Sequence, residues 1–116
     1  MIMMKNYRET DPEFAERVEH FAFDEVVNEP GQQLDEVTRH MAILAALLGC
    51  QGTEAFRREL PQALDAGVTP VMAKEIVYQA VDYLGIGRVL PFLDITNTVL
   101  TEQGVALPLE DRKSVV

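Results

Sequence analysis

Cysteine occurs once in this sequence, at Cys50, and histidine twice, at His20 and His40. A lone cysteine excludes an internal disulfide framework, a CxxC redox centre and a multi-cysteine zinc site. With so few histidines, metal ligation needs an unusual mixture of carboxylates, so no metal is expected. Basic residues are scarce too: 10 Lys and Arg face 19 Asp and Glu, a formal net charge of −9. That field repels nucleic acid phosphates and anionic lipid. It also slows an anionic substrate unless a local arginine or lysine reverses it. No apolar run reaches the ~18 residues of a membrane span, and the opening MIMMKNYRETDPEF has no apolar secretory core. The expectation is a cytoplasmic protein with neither nucleic acid nor membrane as partner. Glycine-rich phosphate loops are missing as well, and no organic cofactor is expected.

What is present fits one domain spanning residues 1–116, with residues 1–9 as an N-terminal arm and 105–116 as a C-terminal tail. The length of 116 residues, 47% hydrophobic and 25% charged, is ordinary for a single globular core. No segment alternates with a strand's period, so the chain is predicted to be all-α. Thr10 or Asp11 caps a first helix opening at Pro12 and carrying Phe14, Val18, Phe21, Ala22 and Val26 on one face, closed by Pro30-Gly31. Asp35 caps a second helix through Gly49, in which Met41 to Leu48 has no polar residue. A helix apolar on every side is buried on every side, and a chain this short cannot surround it alone, which argues for an oligomer. Thr53 caps a third helix with Phe56, Leu60, Ala63 and Leu64, ended by Gly67. Pro61 inside it costs about 3 kcal/mol and predicts a kink or break. Thr69-Pro70 opens a fourth helix, ended by Gly85. After a tight Gly85-Ile86-Gly87 connection comes a fifth, with Val89, Leu90, Leu93, Val99 and Leu100 apolar, Pro91 in its first turn and Gly104 as its stop.

The segments DPEFAERVEHFAFDEVVNEPG, LDEVTRHMAILAALLG and ALDAGVTPVMAKEIVYQAVDYLGIGRVL together resemble the decarboxylase branch of the carboxymuconolactone decarboxylase-like family, within the alkyl hydroperoxidase D-like superfamily. The resemblance implies an all-α domain of five to six helices, assembled as an oligomeric ring, commonly a homohexamer built as a trimer of dimers. Relatives divide into lactone decarboxylases and peroxidases, the latter using a CxxC pair, a nearby His and an upstream Glu. Aligned on these motifs, Glu59 stands where relatives usually carry the functional His, and His40 where the peroxidase group has its Glu. Acid and imidazole are exchanged. Only Cys50 remains of the cysteine pair, and Gly87 replaces the proline that usually follows the tyrosine and glycine matched by Tyr83 and Gly85.

The expected catalytic residues are therefore His40, Glu59 and Cys50, and the expected substrate-binding residues Arg39 and Tyr83. If the second and third helices pack side by side, His40 and Glu59 form a carboxylate–imidazole pair able to move a proton near neutrality. Arg39 either grips a substrate carboxylate through a bidentate pair or ties to Glu36. On a charged stretch, FRRE, the ordinary place for Glu59 is the solvated surface. Tyr83 is a packing residue or a substrate contact. The expected function is decarboxylase-like action on a small carboxylated molecule, a lactone or keto acid, without cofactor. Two alternatives are a single-cysteine, thiol-dependent peroxidase acting through a sulfenic acid at Cys50 and a non-catalytic ring-forming binding protein.

Overall fold

The computed structural model describes Met4 and residues 6–110, which contain six α-helices and no strand. They fall into two compact units, Met1–Asp35 and Glu36–Val116. The first holds α1 (Tyr7–Thr10) and α2 (Pro12–His20), and α2 runs on into a π-helical turn, Phe21–Glu25. The short α1 lies where the sequence suggested an irregular arm. Pro12 opens α2 as expected, but neither proposed side-chain cap forms. The Thr10 hydroxyl donates to Asp11 Oδ2 at 2.7 Å, so the two residues bond each other. Regular helix ends well before Pro30-Gly31. The Asn28 side-chain amide donates to the Asp24 carbonyl at 2.7 Å, taking the acceptor that its own backbone N–H would use in a continuing helix. Of the expected apolar face, Phe14, Phe21 and Val26 are exposed, and Val18 and Ala22 are part-buried.

The second unit contains α3 (Glu36–Gly49), α4 (Thr53–Asp65), α5 (Pro70–Leu84) and α6 (Ile86–Glu102). Helix α3 packs mainly on α4 and α5, and α6 closes the arrangement by packing on the same two. Leu44 and Leu48 from α3, Phe56 and Leu60 from α4, Val77 from α5 and Phe92 from α6 lie at its centre. Phe56 and Phe92 meet edge to face with centroids 5.2 Å apart, an arrangement worth roughly 1 kcal/mol beyond the area it buries.

The helix ends have local causes. Gln51 takes a left-handed φ of 64°, and Gly52 N donates to Leu47 O at 2.8 Å, closing α3 with a Schellman-type turn just past Gly49 and Cys50. Gly52, not Thr53, occupies the cap position of α4, and no side chain caps it. Gly67, at φ 115°, ends α4 as expected, with Val68 N bonded to Ala63 O at 3.0 Å. Thr69 Oγ1 accepts from Met72 N at 3.1 Å and caps α5. Helix α6 begins directly at Ile86, so Pro91 lies beyond its first turn, and Leu90, expected in the core, is exposed. The apolar run of α3 is buried on one side only: Leu44 and Leu48 are covered, whereas Ala42, Ala45 and Ala46 are exposed. Of the expected tail, residues 105–109 are irregular and 111–116 lie outside the described residues.

Pro61 neither breaks nor ends α4. The packing of Phe56, Leu60 and Ala63, all fully buried, holds the helix through a residue that offers no N–H to the Arg57 carbonyl. Replacing it should therefore release a cost. Pro61→Ala is expected to stabilise the fold by about 1–3 kcal/mol in urea unfolding. Phe92→Ala, which empties the ring's place against Phe56, is expected to cost about 3–5 kcal/mol in the same measurement.

Candidate functional site

The packing of α3 on α4 brings His40 and Glu59 together. His40 Nδ1 lies 3.0 Å from Glu59 Oε1, with the imidazole side chain 14% exposed and the carboxylate 2%. Glu59 is thus a core residue, a correction to the solvated position its charged neighbours suggested. It stands three residues after Phe56 and four before Ala63, on the helix's apolar stripe, and that spacing outweighs the composition of FRRE. Its second oxygen, Oε2, is buried and has no hydrogen-bond partner among the described residues. Burial pushes the Glu59 carboxyl above its ordinary value; the charge and hydrogen bond of His40, and then the charge of Arg39, pull the other way.

Arg39 is partly exposed, with Nη2 3.8 Å from Glu36 Oε1, one turn back on α3. This is the ion pair foreseen as one of its two roles. Cys50 is exposed just past the end of α3, its thiol directed to Leu47 O at 3.5 Å. Tyr83 stands apart. It is 87% exposed on α5 and lines an apolar cleft of about 540 Å³ together with Met41, Leu48, Met72 and Ile76. No described contact links it to Arg39, His40 or Glu59. His20, in the first unit, faces Asp24 at 3.5 Å in an exposed i, i+4 pair.

One buried charge escaped the sequence reading. Lys74 on α5 is 7% exposed. Its ammonium donates to Asn97 Oδ1 on α6 and lies 5.9 Å from the centroid of the Tyr78 ring. The available signal was its place three residues before Val77 and seven before Val81, on the face that meets α6. Among the described residues no three His, Cys, Asp or Glu side chains gather as metal ligands would, and no helix is long and apolar enough to cross a membrane.

This all-α fold sets an imidazole and a buried carboxylate in contact between neighbouring helices, and it is the fold of a small helical domain. The chain belongs to the carboxymuconolactone decarboxylase family, whose model matches residues 12–97, across both compact units. No curated protein and no solved structure gives a significant match.

The raised Glu59 carboxyl has a thermodynamic consequence. The folded state holds that proton more tightly than the unfolded chain, so the group's contribution to stability is full below the ordinary value near 4.5 and is lost as pH rises through the folded value. Urea unfolding from pH 4 to 8 should show wild-type stability falling, relative to Glu59→Gln, as pH rises. A flat difference between the two proteins would contradict the assignment.

Proposed function

We propose that this protein is a carboxymuconolactone decarboxylase-like enzyme acting on a small carboxylated molecule, a lactone or keto acid. Family membership supports that class of function, and the observation that carries the reading to particular residues is the 3.0 Å contact between His40 and buried Glu59. Loss of CO₂ leaves an electron pair on the former α-carbon, delocalised into the adjacent carbonyl. A protonated imidazole returns a proton to that carbon, and a cation binds the substrate carboxylate before it leaves as neutral CO₂. In this reading Arg39 holds the carboxylate, His40 Nε2 delivers the proton and Glu59, bonded to Nδ1, orients the ring. The pairing of Nδ1 with a carboxylate leaves Nε2 as the nitrogen free for substrate. Arg39 and His40 are successive on α3 and diverge by about 100°, so the long arginine side chain must fold toward the imidazole, away from Glu36. The local cation also answers the chain's net charge of −9, which otherwise disfavours an anionic substrate.

The same reading treats residues 1–116 as one domain in a cytoplasmic, self-associating ring, a homohexamer arranged as a trimer of dimers. It is supported by the family match running across both units and by the uncovered apolar side of α3. A second chemistry draws on the exposed thiol of Cys50. Its sulfur attacks a peroxide oxygen, the O–O bond breaks to release alcohol or water, and two equivalents of an external thiol reduce the sulfenic acid back.

Decarboxylation of carboxylated lactones and keto acids, followed by CO₂ release, separates the two. His40→Gln is expected to lower kcat by about 10²–10⁴-fold and Arg39→Ala to act mainly on KM, while Cys50→Ala retains turnover. Full activity in His40→Gln, or peroxide consumption that vanishes in Cys50→Ala, would overturn the decarboxylase assignment.

A further inference from the structure

We infer that the cleft between α3 and α5 is a contact surface for a second copy of this chain, with Tyr83 of each copy entering the cleft of the other. The inference rests on the self-association proposed above and names the face that performs it. Tyr83 exposes 87% of its surface at the margin of a recess of about 540 Å³ lined by Met41, Ala45, Leu48, Met72 and Ile76. A two-fold contact requires a patch complementary to itself, and a projecting ring beside an apolar recess meets that requirement within a single chain.

Area and charge both select a second copy. Alongside Tyr83, the exposed Met72 and Ile86 and the exposed Ala42, Ala45 and Ala46 of α3 remain uncovered in one chain. Covering them in two copies removes on the order of 1,000 Å² from water, the size at which specific interfaces begin. Glu75 is the single charged residue lining the cleft, and it already accepts from Gln79 Nε2 at 3.2 Å. Two chains that each carry a net charge of −9 repel least where they meet through a face so sparse in charge. The methionines at the recess reshape around an inserted ring at little cost.

Sedimentation of the wild type, Tyr83→Arg and Ala45→Arg at matched concentrations, with helical circular dichroism on the same samples, tests this. Both positions are exposed, and each substitution sets a charge in the contact without touching the core. The wild type is expected above monomer mass, and both variants, still helical, at a smaller mass. A monomeric wild type overturns the contact and the ring together. An assembled wild type whose mass neither variant changes overturns this face alone and leaves the ring and the decarboxylase reading standing.

Discussion

A carboxylate placed on the apolar stripe of α4 constrains much of what surrounds it. Glu59 lies between Phe56 and Ala63, both fully buried, and a buried carboxylate is tolerated only when neutral or paired. Its partner has to come from the helix alongside, and His40 on α3 is that partner. The contact holds the imidazole partly buried between the two helices, and burial raises the proton affinity of the carboxyl against the pull of His40. Oε2, without a hydrogen-bond partner among the described residues, shows that the local fold accepts a polar cost that an apolar residue would avoid.

Helix α3 serves two neighbours at once. One face carries His40 toward α4; another, with Met41, Ala45 and Leu48, borders the cleft against α5. This division accounts for the run from Met41 to Leu48, which has no polar residue yet is only partly covered in one chain. Polar residues there would suit a solvated surface. Their absence is the ground on which self-association is proposed.

Much of the fold was legible because its stops are chemical. Thr69 and Pro70 open α5, and Gly67 and Gly85 adopt the positive φ that ends their helices. Where the reading missed, packing or a local bond had overridden the punctuation. Pro61 and Pro91 both lie within continuous helix, and the Asn28 amide rather than Pro30-Gly31 closes the first long helix. At the site, the juxtaposition of His40 and Glu59 was readable only through the resemblance, since nothing in the local pattern sets one helix beside another. The burial of Glu59 was written in its spacing but masked by Arg57, Arg58 and Glu54 around it. Lys74 was hidden in the same way, a charge at a core position whose partner, Asn97, comes from a different helix.

The most direct test of this account is the titration of the Glu59 carboxyl followed by carbon NMR, in the wild type and in His40→Gln. The account predicts a midpoint above 4.5 in the wild type and a further rise in the variant, because His40 opposes the effect of burial. A midpoint at or below 4.5, or one that His40→Gln leaves in place, would contradict a buried carboxylate coupled to that imidazole.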